Sequence, residues 1–264
     1  MIVHAHFQQK NGGDPTEQWV KARTGCVTAS EFGDFVDLSG KLRTGEMPKT
    51  FMAEKIFERW TGRKKPTNFF TVDVNNGVLV EEKAAAFAAL EYGLEIQHVG
   101  FVSNDAGTVG ASPDGLIGWE GLKSDRPTEF PVCFKPTVNV TGIEIKCPAL
   151  TTHIKWLVDG GLPKDHVCQV QGSMFITGCQ SWHFLSYPLA SYLDGFPPIH
   201  LVIERDEAWQ ANFAESLDKF MSKFDTEYAK IVEKNGGPPT RPEPVKDYTV
   251  KPETYSEKTG DITL

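Results

Sequence analysis

Apolar and polar positions change period several times along this chain of 264 residues, and each change marks an element. The clearest run is 206–234. There Trp209, Phe213, Leu217, Phe220, Phe224, Tyr228 and Ile231 recur at steps of three or four. This is the apolar stripe of one long helix, either core or an oligomer seam. Gly236 and Gly237 followed by Pro238 and Pro239 stop it. Shorter helical patterns cover 48–61, 76–90, 153–158 and 166–177, with Gly62, Gly93, Gly160 and Gly178 after them. In 166–177 the apolar side holds Val167, Val170, Met174 and Phe175, while Gln169 and Ser173 share another face. Asp14-Pro15-Thr16-Glu17 is a helix start, and that helix runs to Arg23 before Gly25. Thr28-Ala29-Ser30-Glu31 offers a second capping box.

Strands are expected at 94–96, 99–102, in the run into Asp114 and on to Ile117, and at 181–187 and 199–204. In Ile143-Glu144-Ile145-Lys146 apolar and charged residues alternate, the period of a half-buried strand. Glu144 and Lys146 then share one face while Ile143 and Ile145 point to the core. A turn at Gly142 and Pro148 bound this strand. Residues 1–13 read as flexible, and 119–140 as an excursion with three prolines and no period. Together these elements predict an α/β fold, a central mixed β-sheet of about five strands flanked by helices. One domain spans 1–234, and 235–264 forms an extended Pro-rich tail.

Composition narrows the class. Hydrophobic content of 40% and charged content of 23% are ordinary for a globular chain. No apolar run reaches membrane-spanning length and the start lacks a signal pattern, so a cytoplasmic protein is expected. Five cysteines without a Cys-x-x-Cys pair predict reduced thiols. A net charge of -8 argues against a protein that simply coats DNA. Arg59, Arg63, Lys64 and Lys65 form the one dense basic cluster; a solvated helix end would explain them equally well.

The candidate chemistry lies in Ser112-Pro113-Asp114-Gly115 and, after the excursion, Glu144-Ile145-Lys146. If Asp114 ends a neighbouring strand, two carboxylates and an ammonium converge. Two carboxylates suit a hard divalent cation. Such an ion activates water against a phosphodiester, and a lysine stabilises the developing charge. Taken alone, Ser-Pro-Asp-Gly is also a β-turn and Glu-x-Lys an ordinary strand face. Upstream, Arg23 and Ser30 flank a loop feeding a helix N-terminus, an anion site with free backbone N–H groups. An arginine paired with a carboxylate and a serine merely capping would look the same.

Ser112-Pro113-Asp114-Gly115 with Glu144-Ile145-Lys146 resembles the core of the PD-(D/E)XK nuclease superfamily. More narrowly, the chain resembles the lambda-exonuclease and YqaJ-type viral recombinase family. Arg23 to Ser30, Ser112 to Leu116, Glu144 to Pro148, Gln169-Val170-Gln171 and Val202 to Glu207 carry the likeness, in the family's order. The resemblance implies a restriction-endonuclease-like core and a Mg2+-dependent exonuclease, with Mn2+ as the other candidate ion. It implies removal of the 5′-ended strand of duplex DNA from an end, leaving a 3′ single strand for recombination. Asp114, Glu144 and the Ile145 carbonyl are read as metal ligands, with Glu81 on the preceding helix as support; Glu82 is its competitor. Lys146 orients the water or stabilises the phosphate. Gln169 reaches the site, unless it is a buried structural glutamine. Arg23 and Ser30, with Thr28, hold the terminal 5′-phosphate. The family further implies a homo-oligomer in the form of a ring trimer, a phage single-strand annealing protein as partner, and the cytoplasm of a bacterial host. Two rivals stand beside this reading: a structure-specific or nicking DNA endonuclease of the same superfamily, and a non-catalytic DNA-binding or assembly protein.

Overall fold

The computed structural model describes residues 2–4, 17–65, 72–119, 132–133, 139–188 and 195–238. In chain order the elements are β1 (Ile2–His4), α1 (Glu17–Arg23), β2 (Val27–Thr28), a 3-10 segment (Ala29–Asp34), α2 (Met47–Thr61) and α3 (Val72–Tyr92). There follow β3 (Ile96–Gln97), β4 (Phe101–Ser103), β5 (Val109–Ala111), β6 (Gly115–Ile117), β7 (Val132–Cys133) and β8 (Thr141–Lys146). The chain continues with α4 (Leu150–Asp159), α5 (Lys164–Thr177), β9 (Ser181–Ser186), β10 (Ile199–Glu204) and α6 (Glu207–Asn235).

Helix ends follow the chain's punctuation. Gly62, Gly178 and Gly236 each adopt the left-handed conformation after α2, α5 and α6, and their N–H groups close the last turn. Asp206 caps α6 by accepting from the Trp209 N–H. The expected helix after Thr28 is instead the short 3-10 segment. Phe32 and Phe35 are both fully buried, and a three-residue turn brings positions three apart onto one side.

The fold is α/β, with mixed sheets flanked by helices, but the described residues form two five-stranded sheets rather than one. The central sheet runs β10-β9-β8-β6-β3. Within it β8 and β9 are parallel, joined through α4 and α5, and the other pairs are antiparallel. The second sheet runs β2-β5-β4-β1-β7. Its strands are two or three residues long, too short to leave a period in the sequence. Residues 2–4, expected to be flexible, lie between β4 and β7. The excursion contributes β7; residues 120–131 and 134–138 of it, and 239–264 of the tail, lie outside the described residues.

Both faces of the central sheet are covered. On one side Ile143, Ile145 and Leu185 pack on Ala84, Ala85 and Ala88 of α3, where small side chains allow close approach. On the other, Trp182 and Phe184 join the main core with α5. The aromatic stripe of α6 completes that core: Phe213 lies 4.6 Å from Phe32, and Phe220 4.6 Å from Phe35, ring centre to ring centre. Trp209, Phe213, Phe220 and Phe224 are therefore core, not an oligomer seam.

Candidate functional site

β8 supplies the centre of the site. Its alternation holds, but the strand is not half-buried: Glu144, on the α5 side, is only 2% exposed. Nor does Gly142 form a turn. It pairs within β8 against Leu116 and Trp182, and a side chain there would meet the Trp182 ring at 2.2 Å.

Asp114 immediately precedes β6. Its N–H donates to the Ile143 carbonyl at 3.2 Å, and its Oδ2 accepts from the Ile145 N–H at 2.5 Å. These bonds tie the two acidic segments together across the β6–β8 pair. The N–H and C=O of a strand residue face the same side, so the Ile145 carbonyl opens towards Asp114 as well. Burial, then the charges of Glu144 and Glu81, hold the Asp114 carboxyl well above its ordinary range; Lys146 and the Ile145 N–H pull the other way.

Glu144 Oε1 accepts from Lys146 Nζ at 2.5 Å and from Gln169 Nε2 at 2.6 Å. Glu144 Oε2 is buried with no hydrogen-bond partner. Burial depresses the Lys146 pKa, but Glu144 and Asp114 outweigh it and raise the ammonium above its ordinary value. Lys146 stays charged across any working pH. Gln169 is thus at the acid cluster rather than a purely structural core residue.

Of the two α3 acids, Glu81 acts electrostatically on Asp114, Lys146 and Cys147. Glu82 lines an adjoining cavity with Ile96, His98 and the α3 alanines. Cys147 packs against the α3 side of the sheet, and burial pushes its thiol up to about 12. Among the described residues no three His, Cys, Asp or Glu side chains form a ready metal cage. The donor set still fits an ion that takes one or two carboxylates and keeps its waters. The orphaned Glu144 oxygen suits a cation, as does the Asp114 carboxyl, whose ionised form burial and the neighbouring acids disfavour until a positive charge joins them.

The second cluster surrounds Arg23, whose guanidinium stacks 4.3 Å from the Trp19 ring centre. Nη1 donates to Ser112 Oγ at 2.6 Å and Nη2 to Thr28 Oγ1 at 3.5 Å. Among the described residues Arg23 has no carboxylate partner at ion-pair distance. Thr28 is buried, donates its hydroxyl to Glu31 at 2.7 Å, and lies 3.3 Å from Ser30 Oγ. Ser30 is exposed. The loop's N–H groups are not all free: Gly25 donates to Glu58 at 3.0 Å and Thr28 to Glu31 at 3.1 Å. Any anion would therefore be gripped by side chains more than by these amides.

Sequence reasoning missed three participants. Ser112 joins Arg23 to the segment carrying Asp114; its place inside the motif was a usable signal. His98 Nδ1 lies 3.0 Å from the Asp114 carbonyl oxygen. His166, beside Trp156 and Phe184, is hydrogen-bonded to Gln169; burial and Lys146 lower its pKa to about 4. Neither histidine stands in a recognisable spacing, so no local pattern could have revealed them. The basic cluster is largely engaged: Arg59 pairs with Asp225, Lys64 with Glu58 and Glu31, and Lys65 with Glu54. Cys26, Cys147, Cys168 and Cys179 are free thiols. Among the described residues no helix is long and apolar enough to cross a membrane.

Comparisons with known proteins point one way. The profile of the YqaJ-like viral recombinase domain matches residues 18–180, well over half of the chain and including every candidate residue above. An alkaline exonuclease from Laribacter hongkongensis, LHK-Exo, superposes with a TM-score of 0.65 at 29% identity, over 84% of this chain and 98% of that one. Its complex with dAMP gives 0.66 over the same shares at the same identity. A phage-related exonuclease from Haemophilus somnus shares the fold at 15% identity, TM-score 0.52, covering 78% of this chain and 96% of that one. The ExoD protein of Escherichia coli K12 is 35% identical over 66 residues, 25% of this chain and 74% of its own length.

Proposed function

The chain belongs to the YqaJ-like viral recombinase domain family, and on that premise we propose a Mg2+-dependent exonuclease that enters duplex DNA at a 5′-phosphorylated end. It is a recombination nuclease of the alkaline-exonuclease type; the strand, the ion and the end preference are our reading. The observation that carries it is the Arg23–Ser112 bond. Ser112 is two residues from Asp114, so a phosphate gripped at Arg23 lies beside the acid cluster. That arrangement suits an enzyme that measures from a strand end to the first phosphodiester.

Asp114, Glu144 and the Ile145 carbonyl would hold the cation, with Glu81 in support. When bound, the ion polarises the scissile phosphate and lowers the pKa of the attacking water. Lys146, charged and tethered to Glu144, stabilises the negative charge that builds on the phosphate. Gln169 holds Glu144 Oε1, which fixes where Oε2 points. Arg23 and Ser30 bind the terminal phosphate together with Ser112. Thr28, its hydroxyl proton given to Glu31, orients Arg23 and Ser30.

The same reading takes 1–234 as the nuclease domain with a trailing tail, and a ring-shaped homotrimer acting in the cytoplasm of a phage-infected bacterium. A 3′ single strand is its product, so an annealing protein is its natural partner. The test is digestion of end-labelled linear duplex with and without Mg2+. Shortening of the 5′-ended strand, faster from phosphorylated ends, is expected, and a covalently closed circle should survive. Nicking of the circle would overturn the end-dependent reading in favour of an endonuclease.

A further inference from the structure

Beneath the Arg23 loop lies a group of four charges that the proposed reaction does not use. Lys55 is 1% exposed, yet it is an ammonium in a largely aromatic core beside Phe51. Its Nζ sits 2.7 Å from Glu31 Oε1 and 3.2 Å from Glu58 Oε2. Lys64, at the rim, reaches the same two oxygens at 3.7 and 3.2 Å. A buried ion pair is weak evidence of stabilisation, because desolvation offsets most of the attraction. Its geometry is more telling here. Both carboxylates also hold the loop itself. Glu58 accepts from the Gly25 N–H, and Glu31 accepts from the Thr28 N–H and hydroxyl. Thr28 Oγ1, its proton committed, is left to accept from Arg23 and to meet Ser30.

This construction creates a conflict. Two carboxylates are good acceptors for positioning a loop, but they would repel a phosphate dianion bound a few ångströms above. Both act electrostatically on Arg23. We propose that Lys55, assisted by Lys64, is a positioning residue for end recognition: it neutralises Glu31 and Glu58, so that they hold the loop without repelling a terminal phosphate. This rests on the end-phosphate reading above and deepens it. Neither lysine needs to touch DNA. Lys55 is inaccessible, and its effect passes through Glu31, Thr28 and Arg23.

The experiment compares kcat/KM on linear duplexes that differ only in a 5′-phosphate or a 5′-hydroxyl. Lys55→Met and Lys64→Gln should each lower the phosphate-to-hydroxyl ratio, Lys55→Met by about tenfold or more and Lys64→Gln by less. The loss should appear mainly in KM for phosphorylated ends. Adding Glu58→Gln to Lys64→Gln restores the charge balance and keeps an oxygen for the Gly25 N–H, so the ratio should recover. If Lys55→Met does not fold, the half-exposed Lys64 pair decides the matter. A ratio unmoved in folded variants, or one not rescued by Glu58→Gln, overturns the positioning role alone. A wild-type enzyme indifferent to the end group overturns the end-phosphate reading and this inference with it.

Discussion

Gln169 Nε2 and Lys146 Nζ converge on a single oxygen of Glu144, at 2.6 and 2.5 Å, and leave the other oxygen buried without a partner. Two donors on Oε1 fix the carboxylate's rotation, so Oε2 cannot turn away to find a bond elsewhere. An unpaired buried acceptor costs stability; a ligand-binding role would explain why it persists. The two donors should separate in mutants. Lys146→Ala removes both the tether and the charge that the proposed reaction sets against the phosphate, and should lower kcat by about 10²–10³. Gln169→Ala removes only the tether and should cost less. Steady-state rates at saturating Mg2+, with circular dichroism to verify folding, test this. Near-normal cleavage by Lys146→Ala would remove it from the reaction.

Asp114 predicts a trade of stability for binding. Its carboxyl is raised well above 3.8, by burial first and then by Glu144 and Glu81. A group raised in the folded state contributes stability below its unfolded pKa and loses it as pH rises through the folded value. At neutral pH without metal, Asp114→Asn should therefore melt higher than the wild type, at about 2–4 °C per kcal/mol in a chain of this size. The advantage should vanish below pH 3.8. Mg2+ should raise the wild-type Tm by linkage and leave the variant much less changed. Equal Mg2+ responses would argue that Asp114 does not hold the ion.

Arg23 makes a demand that lysine cannot meet. Its guanidinium stacks on Trp19 while separate nitrogens reach Ser112 and Thr28. A point-charge ammonium cannot keep a planar stack and two diverging bonds at once. Arg23→Lys should therefore lose most of the preference for phosphorylated ends, nearly as much as Arg23→Ala. Ser112→Ala should fall between these and the wild type. Competition between 5′-phosphate and 5′-hydroxyl duplexes reads the ratio directly, and a Lys variant that kept full preference would refute the stacked grip.

What could be read from the chain depended on range. Helix α6 was visible because seven apolar residues repeat over about six turns, and α2 and α5 because Gly62 and Gly178 end them. The Glu144–Lys146 strand was visible through its alternation. The burial of Glu144 was not, because its cover comes from α5, a segment distant in sequence. The second sheet was hidden for a similar reason. A strand such as β1 or β2 has no period of its own and exists through its pairing with β4 or β5. Nothing in the helical pattern of 48–61 marks Lys55 as buried; only Glu31, 24 residues earlier, explains it.

Gly142 was read as a turn because glycine usually signals one, yet it serves close packing. A methyl group at this position would lie 2.2 Å from the Trp182 ring, itself fully buried. Gly142→Ala should destabilise the protein by about 1–3 kcal/mol through overpacking. Chemical denaturation would detect it as a lower midpoint with an unchanged slope. An unaffected midpoint would mean the indole has room to move.

The last prediction concerns acid. His183 on β9 and His200 on β10 face each other with Nδ1 and Nε2 2.8 Å apart and rings stacked, and His200 rests on Tyr92. Burial, then the neighbouring His200 ring, lowers the His183 pKa to about 4, and burial lowers that of His200. In the unfolded chain both titrate near 6.5. A group depressed in the folded state contributes stability above its unfolded pKa and loses it as pH falls through the folded value. The wild-type Tm should therefore decline between about pH 6.5 and 4. Part of that slope belongs to His166, lowered to about 4 by burial and Lys146. His183→Gln removes one titrating ring, keeps a hydrogen-bonding partner for His200, and should flatten the slope without abolishing it. Between pH 5 and 6.5 most surface carboxylates are already ionised, and the opposing slope from the raised Asp114 carboxyl is common to variant and wild type, so the difference between their curves isolates His183. Parallel Tm curves for variant and wild type there would show that the β9–β10 pair is not proton-linked.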